Sequence, residues 1–131
     1  MSLIHLHDYD ASYNPSMPSV SASISRDDTN IDEGRPTTFI VDSGADITLI
    51  PVRILKDIGA KKRSKRQMIG VSGVAITVDM YVVVLKLGKS HPLHLEVIGA
   101  AGDTEPILGR DVLIQYAVLL NGPGQTVEVS E

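Results

Sequence analysis

One carboxylate, Asp42, is the residue of this chain best placed to do chemistry. It follows the apolar, β-branched run at residues 37–41, and Ser43 and Gly44 come directly after it. A buried strand that ends in this way presents its acid at a tight turn, where a carboxylate can act as a general acid or base. The tripeptide alone is weak evidence, because Asp-Ser-Gly also occurs in many ordinary turns.

Two further segments follow this turn in the chain. Residues 68–78 have the pattern of a β-hairpin with a glycine-bearing tip (GVSG, 70–73), and residues 107–111 (ILGRD) lead into a short helix. The order of strand with Asp-Ser-Gly-Ala, hairpin and ILGRD resembles the retropepsin family, the retroviral-type aspartic proteases and their cellular relatives. The resemblance covers residues 39–123. It implies an all-β, closed barrel-like acid protease fold with one or two short helices and one lobe per chain.

The resemblance also implies an assembly and an activity. Aspartic proteolysis needs two carboxylates that share a proton, one to deprotonate water and one to protonate the scissile carbonyl oxygen. This chain holds one such motif, since Asp103-Thr104 continues with Glu105. Retropepsins are homodimers that place the same Asp of each chain side by side. We therefore expect a homodimeric aspartic endopeptidase with Asp42 as its catalytic residue, acting on extended, largely hydrophobic peptides without a cofactor or metal ion.

The residues around Asp42 match supporting positions of the family. Ser43 matches a hydroxyl residue that grips the partner's backbone, and Gly44 matches a position where the backbone comes close to substrate. Asp46 and Arg110 match a charged pair that braces the active-site turn; the alternative is two exposed charges in loops. Ala45 has no hydroxyl with which to hydrogen-bond the catalytic carboxylate, so we expect activity at mildly acidic pH.

The hairpin matches the family's flap, which closes over a bound peptide. Gly70 and Gly73 match flap-tip glycines, although this tip is less glycine-rich than in many retroviral examples. The other flap and apolar subsite positions of the family fall on Ile47, Leu49, Ile69, Val71, Ser72, Ile76 and Ile107. Each of these apolar residues is equally compatible with the hydrophobic core. Glu105 stands where the family has a small apolar residue, and in the cleft it would favour a basic or hydrogen-bonding substrate side chain.

The composition favours a single β-rich domain. Val (14) and Ile (13) make up about a fifth of the 131 residues, while aromatic residues are 4%. Alternation predicts a strand at residues 20–25, and a helix is expected at 51–60, where Pro51 suits the first position and Gly59 the end. The polar segment 26–35 is expected to be a connector, and residues 112–120 a short helix that runs into a strand. Residues 1–19 are expected to be a flexible arm rather than an edge strand, followed by the protease domain at 20–131.

Charge and length exclude several classes of function. The net charge of -4 argues against a nucleic-acid partner, and the longest apolar run is far shorter than a membrane span. The N-terminus has no signal-peptide pattern, which favours a soluble, cytoplasmic protein. His5 and His7 could share one face of a strand, and His91 and His94 lie near a turn, but neither pair has a third ligand at metal spacing.

Three questions stay open at this stage. Residues 61–66 (KKRSKR) are expected to be a solvated loop; docking of an acidic partner, or of nucleic acid, is the alternative. Since terminal strands of the family often interleave across the twofold axis, residues 20–25 and 126–129 are candidates for the dimer interface. The rival to an active protease is a non-catalytic module that keeps the fold and binds peptides or dimerises. The unusual flap tip and Glu105 motivate this rival.

Overall fold

The strands of the chain run in two sheets, with two short helices between them. The computed structural model describes residues 2–27, 31 and 34–131. Within these residues the strands are β1 (Leu3–Asp8), β2 (Ser19–Ser25), β3 (Arg35–Val41), β4 (Leu49–Pro51), β5 (Lys61–Ile69), β6 (Ala75–Lys86), β7 (Leu93–Ala100), β8 (Ile107–Leu108), β9 (Ala117–Asn121) and β10 (Thr126–Ser130). The helices are α1 (Val52–Asp57) and α2 (Arg110–Leu113). The expected all-β class is confirmed.

The larger sheet closes on itself. Its strands follow the order β2-β3-β8-β4-β7-β6-β5, and β2 also pairs with β6. This additional pairing joins Ser23 to Lys86 and Ser25 to Val84, so six strands form a ring and β5 extends beyond it. The expected barrel-like arrangement is therefore present, and closure leaves its strands no free edges on the ring.

Aliphatic side chains fill the ring. In β2 the apolar residues Val20, Ala22 and Ile24 are buried, whereas the serines between them are partly exposed, as expected for a strand with one face in the core. Phe39, the one phenylalanine, is fully buried. The other fully or nearly fully buried members of the cluster include Ile50, Leu55, Val83, Leu85, Val97 and Leu108. The β-branched composition thus forms the core of the barrel.

The N-terminal segment corrects an expectation. Residues 3–8 form β1, which pairs antiparallel with β10 in a second sheet of order β1-β10-β9. The composition suggested a flexible arm because β1 buries only Ile4, and backbone pairing to a strand more than 100 residues away is invisible in local sequence. Asp10 and Met17 then form an isolated bridge that closes the loop between β1 and β2.

The basic run also differs from expectation. Residues 61–66 are part of β5, paired with β6, and are not a loop. Acidic residues on the neighbouring strands compensate the charge: Asp79 forms ion pairs with Lys62 and Lys65, and Glu96 with Arg63 and Arg66. Exposed pairs of this kind each contribute about 0.2–1 kcal/mol. Cross-strand partners therefore hold a strand that its own polar sequence does not predict.

The two helices are shorter than their patterns suggested. α1 begins after Pro51, which is its N-cap, and Gly59 follows it with a φ of +72°. The segment 112–120 divides into the end of α2 and strand β9, as expected for a helix running into a strand. In the connector 26–35, Asp28 and Asn30 lie outside the described residues. No helix in the described part of the chain has the length and apolar character needed to span a membrane.

Candidate active site

Asp42 lies at the point where β3 leaves the barrel. Val41, the last residue of β3, pairs with Leu108 of β8, and the Asp42 amide donates to the Leu108 carbonyl at 3.1 Å. The residue is half-buried, so its backbone is fixed by the sheet while its carboxylate stays accessible. As the sequence predicts, the apolar strand β3 is followed directly by Asp42 at a turn.

The turn itself holds the carboxylate. The Gly44 amide donates a hydrogen bond to Asp42 Oδ1 at 2.9 Å, and the Ala45 amide donates to the Asp42 carbonyl at 3.2 Å. A Cβ on Gly44 would lie 3.1 Å from Asp42 Oδ1, closer than most real contacts of that kind. A side chain at position 44 would therefore crowd the Asp42 carboxylate, which would have to shift by a few tenths of an ångström.

Arg110 joins this turn to α2. Its guanidinium donates to the Ser43 carbonyl at 2.6 Å through Nη1 and to Asp46 Oδ1 through Nη2, and its backbone amide donates to the Ala45 carbonyl at 2.8 Å. The expected contact between Asp46 and Arg110 is present. Because the planar fork bonds a backbone carbonyl and a carboxylate at once, it fixes the direction of the turn. The Ser43 side chain is exposed, and its contact with a partner chain stays a prediction.

A second link, which the sequence did not reveal, lies deeper. Thr48 is completely buried, and its hydroxyl donates to Asp111 Oδ1 at 2.7 Å while its amide donates to both Asp111 oxygens at 3.0–3.1 Å. The Gly109 amide in turn donates to Thr48 Oγ1 at 3.1 Å. Asp111 is the last residue of the ILGRD motif, so the sequence analysis already included it. No feature of the sequence around Thr48 predicts that it bonds Asp111.

Apolar residues surround the turn on the barrel side. Leu49 and Ile107 are paired neighbours on β4 and β8, and Ile107 also pairs with Ile40 of β3. Ile47, Leu49 and Ile107 are all half-buried. The structure thus brings these three predicted subsite residues to the same end of the barrel as Asp42, partly in the core and partly accessible.

The hairpin residues are placed differently. The tip is a tight turn in which the Gly73 amide donates to the Gly70 carbonyl at 2.9 Å, and Gly73 has a φ of +79°. The apolar residues of the tip are strongly exposed: Ile69 76%, Val71 111%, Val74 61% and Ile76 55%. Ser72 is exposed as well. The barrel of the same chain therefore does not cover the hairpin, in which β5 and the start of β6 project from the ring.

Glu105 acts electrostatically on a residue that the sequence did not single out. Partial burial raises the pKa of the Tyr13 hydroxyl, and the carboxylates of Glu105 and Asp10 raise it further. Tyr13 belongs to the loop closed by the bridge between Asp10 and Met17, so the charge of Glu105, in the segment before β8, acts on this loop. The Pro18 carbonyl, just after the loop, accepts a hydrogen bond from the Val41 amide beside Asp42. Within residues 2–27, 31 and 34–131, no three His, Asp or Glu side chains are grouped as metal ligands would be.

Fold and site together define one lobe of an aspartic protease: a closed β barrel that presents a single carboxylate at an Asp-Ser-Gly turn. The family model described as Aspartyl protease matches residues 28–112, well over half of the chain. The chain belongs to this family, and the aspartic protease family expected from its motifs is confirmed.

Comparison with solved structures gives a similar protein. The EIAV protease complexed with the inhibitor HBY-793 shares 24% sequence identity with this chain, with a TM-score of 0.47 over 76% of this chain and 86% of that one. No curated protein sequence matches the chain.

Proposed function

We propose that the protein is an aspartic endopeptidase that works as a homodimer, with Asp42 of each chain as a catalytic carboxylate. The observation that carries this proposal is the Asp42 turn, in which the Gly44 amide bonds Oδ1 and Arg110 braces the backbone. Among the described residues, no protein group bonds Asp42 Oδ2, which leaves that oxygen to water or to a second carboxylate. One chain supplies half of the required pair.

The reaction needs one proton shared between the two Asp42 carboxylates. The ionised carboxylate takes a proton from water as the oxygen attacks the scissile carbonyl, and the protonated one gives its proton to the carbonyl oxygen. On collapse of the tetrahedral intermediate the C–N bond breaks: the carboxyl group that took the proton from water gives it to the leaving amine, and a hydroxyl of the diol returns its proton to the other carboxylate. The Gly44 N–H holds Asp42 Oδ1 through a hydrogen bond, and the bracing by Arg110 keeps the carboxylate in position.

The accessible side chains favour an apolar peptide as substrate. Ile47, Leu49 and Ile107 offer a partly exposed aliphatic wall next to Asp42. Ile69 and Val71 are exposed on the projecting hairpin, and a peptide bound beneath them would cover apolar surface that is otherwise in water. As a flap, the hairpin would exclude water from the bound peptide.

Ala45 bears on the pH of this activity. Its methyl group cannot donate a hydrogen bond to the Asp42 carboxylate, and its backbone amide already donates one to the Asp42 carbonyl. With no hydroxyl at this position to favour the ionised carboxylates, we expect maximal cleavage at mildly acidic rather than strongly acidic pH. A pH–rate profile that peaks in strong acid would contradict this expectation.

The decisive experiment compares Asp42→Asn with Asp103→Asn, a control in an exposed loop. Cleavage of a hydrophobic peptide, followed by mass spectrometry, should fall by about 10²–10⁴ in Asp42→Asn and stay unchanged in the control. Persistent cleavage by Asp42→Asn would exclude Asp42 as the catalytic residue. Wild-type protein that binds the peptide and never cuts it would instead support the non-catalytic module.

A further inference from the structure

A groove lies where two strands share one edge of β6. β7 occupies the other edge, while β5 pairs as far as Val82, opposite Lys61, and β2 pairs from Val84 onward, opposite Ser25. β2 and β5 therefore meet end to end beside Val83. Residues at this junction line a hollow of about 680 Å³. The lining is mostly basic and consists of Arg26, Asp27, Lys61, Lys62, Arg63 and Val82.

Arg26 connects the two sides of the groove. It follows the last residue of β2, and its side chain lies along the turn before β5, because a Cβ added to Gly59 would be 3.6 Å from Arg26 Cδ and 3.8 Å from Nη1. Since glycine has no side chain, the arginine can pass the chain two residues before Lys61. The groove thus collects cations from two separate segments of the chain.

The positive charge of this region is compensated only in part. Asp27, Asp79 and Glu96 form ion pairs there, and the last two are each shared by two cations. The N–O distances of 3.5–3.7 Å exceed the 2.7–2.9 Å or so of a direct charge-assisted hydrogen bond. Lys61 has no ion-pair partner among residues 2–27, 31 and 34–131. Half of the chain's 12 lysines and arginines lie here or further along β5: Arg26, Lys61, Lys62, Arg63, Lys65 and Arg66.

We propose that this groove and the adjoining length of β5 bind an acidic peptide segment of a partner protein, at a site separate from Asp42. β5 is the last strand of its sheet, and no strand of the described residues pairs with its outer edge. An extended peptide beside that edge can bond the backbone while its carboxylates meet the exposed cations. Lysines at a sheet edge oppose pairing with a neutral or basic chain, so the same residues select for an acidic one.

The chemistry of the groove favours a peptide over other anions. Val82 is the only apolar residue of its lining, and the neighbouring Tyr81 packs against the barrel core. The groove therefore offers no aromatic ring on which the bases of a single-stranded nucleic acid could stack. The net charge of -4 of the whole chain opposes a long polyanion. A single phosphate would reach few of the cations, because they are spread along a strand.

The first experiment measures binding of a fluorescein-labelled hexaglutamate peptide by anisotropy, with hexaglutamine as the uncharged reference. The double variant Arg26→Gln/Lys61→Gln should weaken binding of hexaglutamate at least about fivefold. Arg53→Gln/Lys89→Gln removes the same charge from exposed residues outside the groove and should change binding less than about twofold. Equal losses in the two double variants would assign binding to net charge alone and overturn the proposal, as would wild-type protein that does not prefer hexaglutamate.

A second experiment locates the peptide and compares other anions. On addition of hexaglutamate, backbone amide NMR signals of residues 61–66 should shift and those of residues 42–46 should not. Shifts confined to residues 42–46 would place the peptide at the candidate active site and overturn the proposal. It would also be overturned if a short oligothymidylate bound more tightly than hexaglutamate, or if inorganic phosphate displaced the peptide at equal concentration. If Arg26→Gln/Lys61→Gln fails to fold, the amide shifts of the wild type decide.

Discussion

The carboxylate of Asp111 accepts hydrogen bonds from both the backbone amide and the hydroxyl of Thr48, at 2.7–3.1 Å. This contact joins the chain segment after Asp42 to the first turn of α2 from within the protein, while the contact of Arg110 with Asp46 joins the same two segments at the surface. The candidate site is thus held from two sides. The inner link is buried, so its loss has the larger effect on stability.

Thr48→Val should destabilise the protein by about 1–3 kcal/mol, because the Asp111 carboxylate loses one donor and the Gly109 amide loses its acceptor in a buried place. Thr48→Ser keeps the hydroxyl and is the matched control, expected to lose less. Chemical denaturation gives both values. A larger loss in Thr48→Ser than in Thr48→Val would show that the methyl group, and not the hydroxyl, is what the structure needs.

Arg110→Lys should lower kcat/KM by about tenfold or more, since lysine cannot bond the Ser43 carbonyl and Asp46 together and the Asp42 turn would shift. Arg35→Lys is the control. Arg35, at the beginning of β3, forms an ion pair with Asp57 that is about as exposed as the pair of Arg110 and Asp46. Peptide cleavage by both variants is compared under the same conditions. A control that loses as much activity would point to a general effect of replacing arginine.

Gly73→Ala should reduce cleavage while leaving the barrel intact. A side chain at a φ of +79° costs about 1–2 kcal/mol, and the cost falls on the hairpin tip alone. Gly70→Ala is the control at the other end of the turn, where φ is not positive and nothing lies within 4 Å of an added Cβ. Kinetics and thermal unfolding are measured for both. If Gly70→Ala proves the more damaging, the tip adopts another turn in the working enzyme.

Glu105→Val should shift the cleavage preference away from basic side chains. Glu105 is exposed two residues before Ile107, so an acidic side chain follows closely on the apolar wall along the chain. Glu105→Gln separates charge from hydrogen bonding, because it keeps the shape and the polar group. Profiling all three proteins on one peptide library gives the answer. An unchanged profile in Glu105→Val would place this side chain outside the cleft.

Because of His5, the folded protein should lose stability as the pH falls into the mildly acidic range. Its burial, and then the charge of the neighbouring His7, lower the pKa of His5 below the ordinary value of 6.5. The two rings are stacked with centroids 5.8 Å apart, and no described residue bonds His5 Nε2. The unfolded chain therefore binds a proton more readily, and the stability present above pH 6.5 is lost as pH falls from that value through the lower folded-state pKa.

The measurement is the free energy of unfolding between neutral and mildly acidic pH. His5→Gln should flatten its dependence on pH, whereas His91→Gln, in an exposed loop, should leave the slope as in the wild type. A wild-type slope retained by His5→Gln would assign the effect to another group.

Much of this architecture was accessible from sequence because its signals are local. The apolar run before Asp42, the alternation in residues 20–25 and the glycines of the hairpin each predict their own element. The contact of Asp46 with Arg110 followed from the family resemblance, since the two residues are far apart in sequence. The family model confirms the class of protein, while the roles of individual site residues stay predictions.

The features that sequence did not predict depend on distant partners. β5 pairs with β6 along its length, and Asp79 and Glu96 on later strands compensate its lysines and arginines. β1 pairs with β10, at the other end of the chain, and Thr48 donates a hydrogen bond to Asp111, 63 residues further along the chain. None of these pairings leaves a periodic pattern, so composition alone suggested a loop, a flexible arm and an ordinary threonine.

The internal pairing of β10 separates folding from association. Because β1 and β9 flank β10 within one chain, each chain completes its terminal sheet before it meets another. If two such folded chains associate as proposed, they can part and rejoin without unfolding, so exchange between differently labelled copies would be fast compared with refolding. The amount of paired Asp42 would then follow protein concentration, and dilution alone would reversibly lower the proposed activity.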